Sequence, residues 1–112
     1  MNTFRYENEW PWGKTVQFIC TDGLGTVEIS REFQNNYAYI SGLKVHPSVQ
    51  KQGRGTALLK LAEQEIVKSL STNIILLQVV PDSWVEKWYK RNGYCAFSKV
   101  ENFNELIKIV KV

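Results

Sequence analysis

The stretch Gln50-Lys51-Gln52-Gly53-Arg54-Gly55-Thr56 decides how the rest of the chain is interpreted. A strand-like run over 37–45 precedes it and ends at His46-Pro47, and an amphipathic run from Thr56 to about Leu70 follows it. The first N–H groups of a helix have no partner within the helix, and the macrodipole adds partial positive charge there. A strand that turns through glycines into a helix therefore predicts a site for an anion such as phosphate.

Two glycines and two cations give this loop its chemistry. Gly53 and Gly55 lack the Cβ that would keep a ligand away from the backbone, and both tolerate positive φ. Lys51 and Arg54 add mobile cations at the rim. The loop is not a Walker loop, and it is a poor dinucleotide fingerprint because Leu58 stands where the third glycine belongs. A plain strand-to-helix turn is the structural alternative.

Length and composition predict one globular domain over 1–112. Of the 112 residues, 44% are hydrophobic and 22% are charged, which is ordinary for a globule that buries a core without metal or disulfide support. A net charge of +3 is too small to argue for nucleic acid. No bilayer-spanning run and no signal peptide is recognised, so we expect a cytoplasmic protein with no membrane partner. Cys20 and Cys95 are expected to be reduced thiols on strands, and no metal site is predicted.

The N-terminal half predicts an antiparallel meander. The residues 1–14 are polar and aromatic and indicate a loop or turn. Strands are expected over 15–20, 26–33 and 37–45, because apolar residues alternate with polar ones and Asp22-Gly23 is a strong hairpin signal. Gly42, inside the third strand, indicates a bulge or a close backbone approach; the alternative is a harmless fit to a cross-strand neighbour.

The C-terminal half predicts one right-handed crossover and two closing strands. The helix after the loop carries a buried stripe, with Lys60, Glu63, Gln64 and Lys68 largely opposite. The apolar run 73–80 is typical of a strand covered on both faces. A short helix follows over 84–91, with Asp82 or Ser83 as its N-cap and Asn92-Gly93 as its C-terminal stop. The last strands are expected over 94–100 and 105–112.

A second motif adds a family resemblance. The run Trp88-Tyr89-Lys90-Arg91-Asn92-Gly93-Tyr94 resembles the [F/L]-Y-x-x-x-G-[F/Y] signature of the Gcn5-related N-acetyltransferase (GNAT) family. The first loop, from Gln50, resembles that family's [Q/R]-x-x-G-x-[G/A] loop, which holds the pyrophosphate of acetyl-CoA. The resemblance covers about 16–112. It implies an α/β (α+β) fold with a mixed, mostly antiparallel sheet, a central parallel strand pair and two helices.

The resemblance implies where acetyl-CoA, the expected co-substrate, would bind. Backbone groups of Leu43, Lys44 and Val45 would pair with the pantetheine arm in the gap beside the bulged strand. The N–H groups of Gln52, Gly53, Arg54, Gly55 and Thr56 would hold the pyrophosphate, with Lys51 at the rim. Gln50 either contacts the ligand or caps the loop. Asp82 falls where many members carry Asn; its alternative role is a helix cap.

The resemblance also implies catalytic candidates for acyl transfer to an amine. Tyr89 matches the family tyrosine near the cofactor sulfur and is the candidate acid; its alternative is a packed helix residue. Glu28 and Glu32 share a strand face and are candidate bases, with solvated strand residues as the blander alternative. The acceptor is a small-molecule amine or a protein or peptide.

One departure from the family leaves a second function open. Family members usually begin with a strand and two helices that form one wall of the acceptor site, and 1–14 is too short for two helices. A homodimer could complete that wall. The alternative to catalysis is a non-catalytic GNAT-fold module that binds CoA or a protein partner. A nucleic-acid binder that uses Lys51, Arg54, Lys60 and Lys87 is a weaker third reading.

Overall fold

A computed structural model describes residues 1–111 of the chain. Seven strands and two α-helices follow one another as β1 (Thr3–Trp10), β2 (Gly13–Cys20), β3 (Gly25–Glu32), β4 (Ala38–Val45), α1 (Arg54–Ser69), β5 (Ile74–Val79), α2 (Trp84–Arg91), β6 (Cys95–Val100) and β7 (Phe103–Ile109). A 3-10 turn, Pro47–Val49, lies between β4 and the loop. The strands form one sheet in the order β1-β2-β3-β4-β5-β7-β6. Only the β4–β5 pair is parallel among the described strands, which confirms the predicted mixed sheet.

The prediction of a loop or turn over 1–14 is wrong, because residues 3–10 form β1. This strand pairs with β2 along its whole length, from Thr3 opposite Cys20 to Trp10 opposite Gly13. Only Pro11 and Trp12 connect the two strands, so no helix lies between them. The sequence gives a weak signal because β1 is an edge strand whose central residues are all exposed, so its pattern does not alternate.

Both helices pack on one face of the sheet. The apolar stripe of α1 and Tyr89 of α2 share a single core with alternate residues of the strands; its fully or nearly fully buried members include Leu58, Ala62, Ile66, Val16, Val27, Ile29, Ile75, Leu77 and Leu106. This confirms the predicted alternation of β2 and β3 and the stripe of α1. The opposite face of the sheet carries no helix in the described part of the chain. No helix in residues 1–111 is long and apolar enough to cross a membrane.

Glu63 corrects one prediction for α1. It was expected on the solvent side, yet it is only 9% exposed. Its carboxylate accepts a hydrogen bond from the Tyr94 hydroxyl at 2.8 Å and forms an ion pair with Lys108 Nζ at 3.0 Å. Tyr94 lies between α2 and β6 and Lys108 lies in β7, so tertiary contacts, which the helix pattern does not encode, place Glu63 in the interior.

The remaining boundaries lie close to the expected ones. The helix α2 matches the prediction residue for residue, and Gly93 follows it with φ +94°, as expected for a C-terminal stop. The last strand ends at Ile109, and the final predicted residue, Val112, lies outside the described residues. Cys20 is buried and Cys95 is exposed, and neither forms a disulfide within residues 1–111.

Candidate active site

The two parallel strands separate just after they meet. β4 and β5 pair only at Ala38 with Ile75 and at Tyr39 with Leu76, within the described residues, although both strands continue beyond these positions. On the other side of β4 the register shifts: Glu28 stands opposite Gly42, while Ile29 stands opposite Ile40, so Ser41 is an extra residue. A bulge of this kind bends the strand that carries it. A V-shaped gap therefore opens between the C-terminal ends of β4 and β5, and the bulge reading of Gly42 is confirmed.

The predicted cofactor strand forms one wall of this gap. Leu43, Lys44 and Val45 pair with β3 on their other side, opposite Val27, Thr26 and Gly25. The side chains of Leu43 and Val45 pack against the core, and Lys44 is exposed. Beyond Tyr39, no residue of β4 pairs with β5 in the described part of the chain. The polar backbone edge of 43–45 is therefore available to an extended partner, as an unpaired strand edge is, except for the Val45 carbonyl, which accepts a hydrogen bond from Gln50.

The loop at the start of α1 leaves its backbone donors without protein partners. Gly53 is the N-cap, with φ +79° and no side-chain capping bond, and the first N–H to bond back is that of Ala57, to the Gly53 carbonyl at 3.0 Å. Within residues 1–111, the N–H groups of Gln52 through Thr56 donate to no other residue. Orphan donors at a helix start, together with the macrodipole, favour an anion. A cavity of about 340 Å³ adjoins Gly53 and Arg54 on the side of the β2–β3 turn, and none of its lining residues belongs to β4, β5 or α2.

The side chains of the loop differ in whether they already bind another part of the protein. Gln50 donates from Nε2 to the Val45 carbonyl at 3.0 Å, which ties the loop to the end of β4. One nitrogen of Arg54, Nη1, donates to both carboxylate oxygens of Asp22, at 2.7 and 2.8 Å, and these hydrogen bonds hold the pKa of the Asp22 carboxyl below its usual value. Lys51 is exposed, with φ +67°, a strained backbone for a residue other than glycine. Of the two predicted rim cations, Lys51 is therefore the one without an acidic partner in the described chain.

The second helix lies beside the loop. A Cβ built on Gly55 would lie 3.5 Å from the ring of Trp88 and 3.8 Å from Val45, so this glycine sits between α2 and β4. The next residue, Tyr89, is 6% exposed, and burial raises its pKa to about 12. Its hydroxyl makes no hydrogen bond in the described chain, yet no fully buried polar atom there lacks a partner. The hydroxyl therefore retains access to solvent at the edge of a buried ring.

Ser83, rather than Asp82, caps α2. The Ser83 hydroxyl accepts a hydrogen bond from the Glu86 N–H at 3.2 Å. Asp82 is exposed, with φ +58°, and its N–H donates to the Glu86 carboxylate at 3.1 Å. The carboxylate of Asp82 is thus left free of the capping role and lies just beyond the end of β5.

The two candidate bases are not equivalent. Glu28 is half-buried at the bulge, and the Ser41 hydroxyl donates to its carboxylate at 3.2 Å. Glu32 is exposed at the far end of β3, where it accepts a hydrogen bond from Gln34 in the β3–β4 turn. The structure places Glu28 at the bulge of β4, one strand from the gap, and leaves Glu32 about four strand residues, roughly 13 Å, from Glu28.

A polar pair that the sequence analysis did not single out lies at the same gap. The Tyr39 hydroxyl donates to the Glu105 carboxylate at 2.9 Å, and the Ser98 hydroxyl donates to it at 3.1 Å. Tyr39 and Glu105 are 66 residues apart. Nothing local in the sequence links them, because their contact depends on β7 lying next to β5.

The comparisons with known proteins agree with this geometry. A family model described as an acetyltransferase (GNAT) domain matches residues 6–96. No curated protein matches the chain. Solved structures with the same fold include PaiA N-acetyltransferase from Thermoplasma acidophilum in complex with coenzyme A (TM-score 0.70, 19% identity, 88% of this chain and 62% of that one). Two others are nourseothricin acetyltransferase (0.72, 19%, 90% and 67%) and an acetyltransferase from Bacillus cereus (0.70, 24%, 88% and 74%).

The extent of these matches defines what they show. Identities below 25% show the fold alone, and the chain spans only 62% of the Thermoplasma protein. The family model, by contrast, matches well over half of this chain, including the loop and both helices. The chain therefore belongs to the GNAT acetyltransferase family.

Proposed function

We propose that this chain transfers an acetyl group from acetyl-CoA to an amine. The observation that carries the proposal is the separation of β4 from β5 directly beside a helix start with unpartnered N–H groups. An extended polar arm fits the gap, and a pyrophosphate fits the loop. The family membership and the coenzyme A complex of the Thermoplasma relative support the same ligand.

The chain's own residues divide the work of binding between backbone and loop. The backbone of 43–45 would pair with the amide groups of the pantetheine arm, as an added strand pairs with a sheet edge. The N–H groups of Gln52 through Thr56 would bind the pyrophosphate, with Lys51 adding charge at the rim. Acetyl-CoA, when bound, supplies a thioester whose carbonyl carbon is open to attack by an amine.

Two side chains of the described site suit the chemistry. Tyr89 stays protonated because burial raises its pKa to about 12, so it serves as a hydrogen-bond donor to the leaving sulfur rather than as a strong acid. Glu28, at the bulge, is the better-placed base of the two candidates, and a bridging water would extend its reach to the amine. Asp82 and Glu32 have no assigned step in this proposal.

The acceptor, the oligomeric state and the cellular location are predictions. The sheet face without helices is open enough for either a small amine or a peptide, and homodimerisation, which would cover part of it, is tested by sedimentation at micromolar concentration. Two free cysteines fit a reducing compartment, in line with the expected cytoplasmic location.

The direct test is acetyl transfer to a panel of amines and lysine-containing peptides, followed by release of the CoA thiol and by mass spectrometry of the acceptor. Transfer that requires acetyl-CoA supports the proposal.

The uncovered face favours a second candidate, a non-catalytic CoA-binding module. Tight binding of acetyl-CoA without transfer to any acceptor in the panel would favour that module over the enzyme.

A further inference from the structure

Glu105 lies on the uncovered face of the sheet, level with the gap. In β7, its neighbours Asn104 and Leu106 point to the helix face: Asn104 donates to Glu86 of α2, and Leu106 is fully buried in the core. Side chains alternate along a strand, so Glu105 points the other way. It pairs with Gln78 of β5, two residues beyond Leu76, where β4 and β5 last meet. Glu105 is therefore beside the opening of the gap.

The hydrogen bond from Tyr39 fixes the carboxylate in that place. Tyr39 belongs to the last paired position of β4, and its hydroxyl reaches across β5 to the carboxylate on β7. Burial, aided by the hydrogen bond to Glu105, raises the pKa of Tyr39 to about 12, so the hydroxyl remains a donor at neutral pH. Ser98 of β6 donates to the other oxygen. Three strands thus hold one carboxylate in a defined orientation.

The charge of Glu105 has less compensation than the charges of the other two buried carboxylates. Glu105 is 7% exposed. Glu63, at 9%, has an ion pair with Lys108; Glu86, at 5%, has no ion pair in the described chain, but it lies in the first turn of α2, where the helix dipole favours a negative charge. Glu105 forms no ion pair in the described chain; its hydrogen-bond partners there are the two hydroxyls. An ionised carboxylate has about four acceptor positions, so two remain for a ligand. Burying a charge without a counter-charge is costly, and a bound cation would remove that cost.

We propose that Glu105, oriented by Tyr39 and Ser98, binds the positively charged amine of the acceptor at the mouth of the gap and so selects cationic primary amines. This inference rests on the acetyl transfer proposed above. Glu28 lies on the same uncovered face, on the opposite side of the gap, because Val27 and Ile29 alternate with it into the core. Three strand spacings, at least ~14 Å between the backbones, separate Glu28 from Glu105, so an amine held at Glu105 would reach Glu28 only through bridging water.

The kinetic test compares acceptors and variants in the thiol-release assay. Glu105→Gln keeps the shape and the hydrogen-bond acceptor but removes the charge. It should raise the KM for alkylammonium acceptors about 10- to 100-fold, the usual worth of a hydrogen bond to a charged group. The Kd for acetyl-CoA should not change. Tyr39→Phe should raise the same KM less, through poorer orientation. The matched control is Glu101→Gln, in the exposed β6–β7 turn, which should leave KM unchanged.

A second measurement works without acetyl-CoA and separates this inference from the proposed reaction. Butylammonium should shift the backbone amide NMR signals of Gln78, Ser98 and Glu105 in the free protein, and the neutral butanol should not. Glu105→Gln should abolish the shift, while Glu101→Gln should retain it. Equal shifts for amine and alcohol, or unchanged shifts in Glu105→Gln, would overturn the inference.

The KM measurement and the NMR measurement together distinguish failure of this inference from failure of the proposed reaction. If acetyl transfer occurs but Glu105→Gln leaves the KM of cationic acceptors unchanged, the inference is wrong and the proposed reaction stands. If no acceptor is acetylated but butylammonium still binds at Glu105, the proposed reaction is wrong and the chain retains an amine-binding site. A variant that fails to fold is replaced by Tyr39→Phe, whose effect on KM must then be specific for charged acceptors.

Discussion

Replacement of Gly53 by glutamate tests the loop with a defined set of controls. Gly53 has φ +79°, and a Cβ built there meets nothing within 4 Å. The new side chain would therefore not clash with the protein. It would place an anion beside the N–H groups of 52–56, where the pyrophosphate is expected. Gly53→Gln has nearly the same size and the same backbone strain without the charge.

The structure sets the size of both effects. A residue other than glycine in this left-handed conformation costs about 1–2 kcal/mol. For a chain of 112 residues, each kcal/mol lowers Tm by ~4 °C. A carboxylate ~6 Å from one phosphate charge at an effective dielectric constant of ~20 adds about 3 kcal/mol of repulsion. That repulsion corresponds to a loss of about 100-fold in affinity for Gly53→Glu relative to Gly53→Gln.

Calorimetric titration with acetyl-CoA and thermal unfolding measure the two effects separately. Both Gly53 variants should lose a similar amount of Tm, and so should Gly23→Gln, since Gly23 has φ +76° and equally open surroundings. Only the Gly53 variants should lose affinity, and the glutamate should lose far more than the glutamine. Equal affinity for the wild type and Gly53→Glu would refute the assignment of the phosphate site to this loop.

Three further predictions concern the rest of the molecule. Tyr89→Phe should lower kcat about 100-fold, the usual cost of one preorganised donor, and leave the Kd of acetyl-CoA unchanged; an unaltered kcat in the thiol-release assay would remove Tyr89 from the reaction. Lys108→Met should destabilise the fold by about 2 kcal/mol in urea unfolding, because the Glu63 carboxylate then keeps only the Tyr94 hydroxyl; Lys108 is 25% exposed, which limits the loss. Adding Glu63→Gln should restore part of it, because the neutral amide oxygen still accepts from Tyr94. The hydrogen bond from Asn104 holds the pKa of Glu86 below its usual value. The stabilising contribution of this bond is therefore present above the unfolded-state pKa and is lost as the pH falls through the lower folded-state pKa. Tm should fall less steeply in acid for Glu86→Gln than for the wild type, and parallel profiles would argue against the coupling.

Sequence reasoning succeeded where burial is periodic along one element. The alternation of Val27 and Ile29 with polar neighbours located β3, and the i, i+4 spacing of Leu58, Ala62 and Ile66 located the buried side of α1. Two glycines and a second motif were enough to indicate the loop and the family. These signals are local, because each depends on a face of one element meeting the core.

The features that the sequence analysis did not predict, β1 and the surroundings of Glu63 and Glu105, depend on contacts between distant elements. β1 was missed because an edge strand with both sides exposed has no apolar period to detect; its charged residues instead form ion pairs, such as Arg5 with Glu65 of α1. Glu63 was placed outside because its partners lie 31 and 45 residues away. The burial of Glu105 could not be predicted for the same reason, because its partner Tyr39 is 66 residues away in the sequence and contacts it across β5. Polar interactions between distant elements set these positions, and no pattern within one element encodes them.

Titration of the unmodified protein with acetyl-CoA tests the central claim most directly, with CoA and ADP as companion ligands. The gap between β4 and β5 predicts saturable binding of both acetyl-CoA and CoA, and weaker binding of ADP, which carries the pyrophosphate without the pantetheine arm. No binding of acetyl-CoA even at millimolar concentration would mean that the loop is only a turn and that the gap receives no such ligand.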